Sequence, residues 1–314
     1  MQAKTVSVGP VTAAVANQIA ASQTPYAGQI ILNGAGANFS INNVAAAQDP
    51  AGAGNLTLAA SPVSFAQPRY LYITSAADDT AFTFTVTGLD KNGRPLTEAI
   101  TGANTKARAS VNQFTVVSNV AVSGNAGSVQ VGSFYSATFT GATARQVTIT
   151  PTGDESANTF VVTGTNVMGM PISETVAGKN ASASTTVSYF LTVTSVTIAN
   201  AAANALTVGM TNTAVSPWVR FDDFAPSNIS IQCTVTGSAT YTVQSTLQDP
   251  YDPISPVDAA AMTWVDSSDT NVVAATATKQ SNFLFAPKYA RVALTTTSTG
   301  SVSAVFLQSS NGPI

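Results

Sequence analysis

The chain has 314 residues, of which 45% are apolar and only 9% are charged, and its net charge is −3. Average soluble proteins carry roughly 25% charged residues, so this surface must consist mostly of Ser, Thr, Asn, Gln and backbone amides. The 12 Lys and Arg residues are scattered singly. Nucleic-acid binding needs clustered cations, and a membrane span needs about 20 consecutive apolar residues. We therefore expect no nucleic-acid partner and no membrane segment.

The sequence contains no histidine and a single cysteine, Cys233. This composition excludes Ser-His-Asp and Cys-His catalysis within the chain, and also zinc sites built on histidine or thiolate clusters. Cys233 alternates with Ile229, Ile231 and Val235, so we expect it on the buried face of a strand. The absence of disulfides within the chain is typical of a reducing cytoplasm. We predict a protein that is not an enzyme, with no catalytic, cofactor-binding or metal residues.

Residues 1–66 are rich in Ala, Gly and Asn and have few long apolar side chains. Short strand patterns occur at 29–32 and 56–59, on either side of a loop-like stretch at 45–55 in which Gly and Pro break regular structure. We expect an N-terminal arm or a small β region that is completed by a neighbouring subunit.

The middle of the chain contains a duplication. FTVTGLDKNGRPLTEAITG at 84–102 aligns without a gap with FVVTGTNVMGMPISETVAG at 160–178. The matched residues, at a constant offset, are Gly88 and Gly164, Gly93 and Gly169, Pro95 and Pro171, Glu98 and Glu174, and Gly102 and Gly178. The register extends to Arg69 and Arg145 upstream and to Phe114 and Phe190 downstream. Such self-similarity indicates an internal repeat.

Each copy alternates apolar and hydroxyl side chains, which is the pattern of half-buried strands. Gly93 and Gly169 stand where a tight turn needs positive φ. Short strands with a turn every 8–12 residues are typical of a β-sandwich. We place the first repeat at 67–142, the second at 143–213, and a different β-domain with a jelly-roll-like pattern at 214–314. The predicted fold class is all-β: tandem immunoglobulin-like sandwiches followed by a jelly-roll-like sandwich.

The carboxylates occur in neighbouring pairs: Asp78/Asp79, Asp154/Glu155, Asp222/Asp223, Asp249/Asp252 and Asp266/Asp269. Asp side chains commonly bond backbone amides in turns, and we favour that interpretation over a glycosidase pair. The loop 249–258 could supply oxygen ligands to calcium, although it lacks the EF-hand spacing. Glu98 and Glu174 are interpreted as solvent-facing strand residues, with an ion pair to a neighbouring subunit as the alternative.

Two further residue sets are candidates for ligand binding. The Gly-x-Gly fragments at 34–36 and 52–54 lack the third glycine and the strand–helix context of a nucleotide site. Six aromatic residues could form a sugar-binding platform, although such residues more often fill a sandwich core; they are Trp218, Phe221, Phe224, Tyr241, Trp264 and Phe285.

The repeat pattern Phe-x-Val-x-Gly, Asn-Gly-x-Pro, Glu-x-Ile-x-Gly, followed by Phe-x-x-Val-x-x-Val, resembles repeats of structural proteins of tailed bacteriophages. The segment SPWVRFDDF with NISIQCTVTG and ATYTVQSTLQD resembles a C-terminal module of such proteins. The resemblance covers roughly 68–314. It implies a virion component that is assembled in the host cytoplasm and has no catalytic residues.

The leading expectation is therefore a virion structural protein that decorates or cements the capsid. Its partners would be the major capsid protein or other virion subunits, and copies of itself, for example in a trimer. One alternative is a collar or tail accessory that binds a receptor or glycan. Another is a bacterial surface adhesin, although the sequence shows no clear export signal or wall anchor.

Overall fold

The computed structural model describes residues 2–34, 39–134, 137–138, 143–225, 228–296 and 298–309. These residues form antiparallel sheets almost throughout, which confirms the predicted all-β sandwich class. Within these ranges the one helical element is a 3-10 turn at Thr270–Val272. No described helix is long and apolar enough to cross a membrane.

The strands follow the chain in three groups. The N-terminal strands are β1 Gln2–Val8, β2 Val15–Gln23, β3 Gly28–Gln29, β4 Phe39–Gln48 and β5 Gly54–Asn55. The repeats contain β6 Val63–Ser75, β7 Thr83–Asp90, β8 Pro95–Thr101, β9 Ala107–Val122, β10 Val129–Phe134, β11 Ala137–Thr138, β12 Ala144–Pro151, β13 Thr159–Thr165, β14 Pro171–Ala177, β15 Ser184–Phe190, β16 Thr192–Ile198 and β17 Leu206–Val215. The C-terminal strands are β18 Val219–Arg220, β19 Ile229–Thr236, β20 Tyr241–Thr246, β21 Val265–Asp266, β22 Lys279–Phe283, β23 Tyr289–Leu294 and β24 Ser301–Gln308.

The two repeats fold alike, although they divide their strands differently. In the first repeat the long β9 pairs with both β6 and β7, within one sheet of order β4-β10-β6-β9-β7-β8. In the second repeat the equivalent segment is interrupted at Leu191. It becomes β15, which pairs with β12, and β16, which pairs with β13 in a separate sheet. The second repeat is therefore a sandwich of two distinct sheets.

Local details recur at the repeat offset. Asp78 bridges Asn104 in the first copy, as Asp154 bridges Asn180 in the second. Gly93 and Gly169 have φ of 76° and 77°, as the turn prediction requires. The duplication seen in the sequence is therefore a duplication of backbone geometry.

One eight-stranded sheet belongs to two domains at once. Its order is β15-β12-β17-β23-β20-β21, so strands of the second repeat lie beside strands of the C-terminal domain. The two sets join where Ala214 pairs with Leu294 and Val215 with Ala293. The domain boundary that we placed after residue 213 lies inside β17. The strand crosses from one sandwich to the next without a linker.

The N-terminal strands do not stand apart as an arm. Strand β1 pairs with β24 in the C-terminal sandwich, β2 with β17 and β3 with β16 in the second repeat, and β4 with β10 and β5 with β9 in the first. The described part of 1–66 is thus distributed over all three domains, and differs from the expected arm or separate β region. Its short apolar stretches are sufficient because each adds a single strand to an existing core.

Glu98 and Glu174 make equivalent hydrogen bonds in the two repeats. The Glu174 carboxylate accepts hydrogen bonds from the backbone amides of Val187 (2.7 Å) and Ser188 (2.8 Å), and Glu98 accepts from the amides of Val111 (2.6 Å) and Asn112 (3.0 Å). Both side chains are half-buried. They are neither purely solvent-facing nor paired with an arginine. Each satisfies two amides where the strand that follows it in the chain bulges, in β15 and in β9.

We expect Glu174→Ala to lower the free energy of unfolding by about 1.5 kcal/mol, because two charge-assisted hydrogen bonds are lost at a half-exposed site. Chemical denaturation measures the change. Thr175→Ala, on the next exposed position of β14, is the matched control and should cost a few tenths of a kcal/mol. Equal effects of the two substitutions would show that the carboxylate contributes nothing to the bulge.

Candidate functional site

A cavity of about 630 Å³ lies on the shared eight-stranded sheet, where the second repeat meets the C-terminal domain. Its floor includes Gln146 on β12, Tyr189 on β15, Gln244 on β20 and Arg291 on β23. One wall is the loop 259–264 with Trp218 beside it, and the opposite wall includes the turn at 166–167. We call it the aromatic–arginine cavity.

The register of the sheet brings the floor residues to one face. Gln146 lies opposite Tyr189, and Gln244 lies opposite Arg291. Directly paired residues of antiparallel strands project to the same side, and both pairs line the cavity. The two pairs share one cavity because β17 and β23 pair, which places both domains in one sheet. Neither domain alone would form it.

Arg291 is an unusual occupant of a sandwich interior, since only 8% of it is exposed. Its Nε donates to Gln244 Oε1 (2.9 Å), and its guanidinium carbon lies 4.1 Å from the Trp264 ring centre and 5.3 Å from that of Tyr189. No carboxylate of the described residues forms an ion pair with it. Desolvation by burial lowers the pKa of Arg291 to about 9, although Tyr189 and Asp266 partly oppose the shift.

Asn166 adds a second unsatisfied donor. Its Oδ1 accepts hydrogen bonds from the amides of Met168 (2.9 Å) and Met170 (3.0 Å), which fixes the β13–β14 turn. Its Nδ2 is buried and has no partner among the described residues. Because buried polar groups are normally paired, this free donor on the cavity wall needs an explanation.

The aromatic rings form the other part of the wall. The Trp218 and Trp264 rings lie 5.8 Å apart at 42°, and Trp218 also meets Tyr289 edge-on at 6.5 Å. Glu174 lines the cavity too, with both oxygens already engaged by backbone amides. Aromatic rings, one buried cation and an unpaired amide donor thus line the cavity, with one carboxylate at its margin.

A charged cluster lies at the loop end of the C-terminal sandwich. Lys288 Nζ lies 2.6 Å from Asp223 Oδ2 and 3.4 Å from Asp249 Oδ2, and Arg220 Nη2 lies 3.1 Å and 3.7 Å from the same two atoms. The Lys288 hydrogen bond lowers the pKa of Asp223. Burial would raise the pKa of Asp249, but hydrogen bonds from Tyr289, the Tyr251 amide and Lys288 outweigh it and the pKa is lowered.

Large apolar side chains are exposed on the loops that carry this cluster. Phe224 is 90% and Ile254 is 92% exposed. The remaining members are Leu247, Tyr251, Leu284 and Phe285. Phe224 follows Asp223 in the chain, and Leu247 follows Thr246, whose carbonyl accepts from the Lys288 amide. We call these six residues, with the four charged ones, the apolar loop end.

Comparison with protein-family models, with curated proteins and with solved structures finds no match to this chain. What its two surface features can do therefore follows from their own chemistry.

The six aromatic residues of the predicted sugar platform are separated by the fold. Trp218 and Trp264 meet in the cavity, whereas Phe221 and Tyr241 belong to the buried core of the C-terminal sandwich. Phe224 and Phe285 are exposed at the apolar loop end. Two of the six residues therefore fill the core, as the core interpretation predicted, two line the cavity and two are exposed elsewhere, so the six do not form one platform.

Each acidic pair contains at least one turn residue. The carboxylate accepts a hydrogen bond from the amide two positions on at Asp78, Asp154, Asp222, Asp249, Asp252 and Asp269. In the described part of the chain no three His, Cys, Asp or Glu residues lie close enough to hold a metal ion. The proposed calcium ligand Asp249 is instead bound to Lys288 and Arg220. Part of the 34–36 glycine fragment lies outside the described residues.

Cys233 is fully buried, as its strand pattern predicted, and burial raises its pKa to about 11. Sequence reasoning missed Arg291, Asn166 and Tyr189. A signal for Arg291 was present, since it is a charged residue within YARVAL, a strand whose other residues all read as core. No comparable signal marks Asn166 or Tyr189.

Proposed function

We propose that this chain is a non-enzymatic structural protein of a tailed bacteriophage particle, which decorates or cements the capsid through protein–protein contacts. The observation that carries the proposal is the apolar loop end. Large apolar side chains grouped on exposed loops commonly mark a protein–protein contact. Phe224 and Ile254, both at least 90% exposed, are the kind of side chain that becomes buried when a subunit docks.

The rest of the surface suits a permanent assembly. With 9% charged residues the chain has little of the self-repulsion that keeps monomers apart. The charged cluster at the loop end would fix the orientation of the docked partner in an otherwise apolar contact. The expected partners are the major capsid protein or other virion subunits, together with further copies of this chain.

The connections between the three domains also suit a protein that acts as a spacer between virion subunits. The core of the second repeat includes Tyr72 and Phe134 of the first, and the shared sheet joins the second repeat to the C-terminal domain. The N-terminal strands connect all three domains. Few hinges remain, and a rigid body can hold neighbouring subunits at a fixed distance.

The test is to image purified particles that carry the chain and to count its copies. Hundreds of copies over the head are expected for a decoration or cement protein. A few copies at the collar or tail would overturn that position and favour the accessory, receptor-binding alternative. Absence from particles would overturn the proposal altogether.

A substitution then tests the surface. Phe224→Ser with Ile254→Ser is expected to reduce incorporation at least tenfold, because the apolar contact with the partner is lost. Val111→Ser is the matched control, since Val111 is 74% exposed but lies on the first repeat. Equal incorporation of both variants would show that docking uses another surface.

A further inference from the structure

We propose that the aromatic–arginine cavity binds a carboxylate-bearing sugar, of the uronic or sialic acid type. This inference goes beyond the structural role and does not depend on it, because the cavity lies on the shared sheet and not at the apolar loop end. The ligand class follows from the cation, the free donors and the ring faces that line one cavity.

The first requirement on the ligand comes from the cation Arg291. A buried charge without a counterion is costly, and proteins normally pair such groups or leave them in water. Only 8% of Arg291 is exposed, and no described carboxylate forms an ion pair with it. Its Nη1 and Nη2 make no hydrogen bond within the described part of the chain. A carboxylate matches this planar fork in two parallel hydrogen bonds.

The comparison of the two repeats shows that Asn166 is not needed for the turn. At the equivalent position the first repeat has Asp90, which accepts from the amides of Asn92 (2.7 Å) and Arg94 (2.9 Å) in the same way. Only the second repeat, whose turn lines the cavity, has an amide side chain at this position, and the Nδ2 of Asn166 is the buried, unpaired donor. A donor placed there serves an acceptor such as a sugar hydroxyl or carboxylate oxygen.

The rings and the volume define the rest of the ligand. Tryptophan and tyrosine faces accommodate the apolar C–H face of a sugar ring, and small-molecule sites commonly measure ~300–1,000 Å³. The cavity volume of about 630 Å³ falls within that range. Glu174 at the margin disfavours multiply charged anions such as phosphate. One carboxylate on a body of hydroxyls and C–H groups meets every requirement.

Binding is tested on the full chain with D-glucuronate and N-acetylneuraminate as probes. Glucose serves as the neutral probe and inorganic phosphate as the charge-only probe. We expect the acidic sugars to raise Tm in a concentration-dependent manner and to change tryptophan fluorescence, with at least tenfold weaker binding of glucose and phosphate. Each probe is used at about 10 mM, because single sugars bind weakly. No binding of either acidic sugar at this concentration, or equal binding of glucose, would refute the proposal.

Two substitutions locate the site. Arg291→Met keeps an unbranched side chain beside Trp264 and removes the unpaired charge, so the fold is expected to remain while acidic-sugar binding falls at least tenfold. Asn166→Asp should preserve the turn, as Asp90 does, and also abolish binding, because a donor becomes an anion. The matched controls are Asp90→Asn and Arg108→Met, the latter removing an arginine stacked 4.0 Å from the Tyr26 ring. Unchanged binding in both cavity variants would contradict the assignment.

Discussion

Gly164→Ala is expected to lower the free energy of unfolding by about 3 kcal/mol, because the new methyl group would collide with backbone. An ideal Cβ at Gly164 would lie 1.9 Å from the carbonyl oxygen of Thr192. The site is a bulge, where the β13–β16 register shifts between Thr163 and Gly164. A backbone carbonyl held by a strand cannot move aside as a flexible side chain can.

The first repeat allows the same substitution to be tested at an equivalent position. Gly88 lies at the same register shift in β7–β9, and its Cβ would lie 1.9 Å from the Val116 carbonyl oxygen. Gly88→Ala should therefore cost a similar amount. Gly52→Ala is the control, because nothing lies within 4 Å of its Cβ. Chemical denaturation followed by circular dichroism measures all three, and a cost at Gly164 no larger than that at Gly52 would refute the steric argument.

Removal of residues 1–11 is expected to unfold much of the C-terminal sandwich. Val6, Val8 and Val11 lie in its core, each less than 9% exposed. Burial of a valine side chain contributes about 1.5–3 kcal/mol, so the loss is on the order of 5 kcal/mol before the unpaired edge of β24 is counted. A single domain has a total stability of only about 5–15 kcal/mol.

Hydrogen exchange measures this loss strand by strand. We expect β24 and β19 to lose protection in the shortened chain while β7 and β8 of the first repeat keep it. A synthetic peptide of residues 2–11 should restore protection by adding back the strand. The same peptide with Val6 and Val8 replaced by Ser is the control. Full protection of β24 without any peptide would contradict a structural role for β1.

The sequence predicted those parts of the fold that depend on local pattern. Alternation and turn glycines are local signals, so the all-β class and the repeated sandwiches could be recognised. The pairing of β1 with β24 could not, because Gln2 and Gln308 meet only through the tertiary fold. The role of Glu98 and Glu174 was missed for a similar reason, since the bulge in the strand that follows each of them has no separate sequence signature.

The candidate cavity was only partly predictable. Trp218 and Trp264 could be named as aromatic candidates, but nothing in the sequence separated them from core residues such as Phe221. The placement of Tyr189, Gln146 and Arg291 in one cavity depends on a sheet that crosses a domain boundary. A sequence pattern indicates which face of a strand is buried, but not which strand of another domain will lie beside it.

The pairing of β1 with β24 also sets the order of events during synthesis. Strand β1 is synthesised long before its partner β24, so it must remain unpaired until β24 has been made. Contacts between residues so distant in sequence form slowly, and an unpaired strand with apolar residues is prone to misassociate in the meantime. The low hydrophobicity of the N-terminal segment, with its many Ala, Gly and Asn residues, limits that hazard. Pairing of β1 with β24 is then the step that completes the C-terminal sandwich.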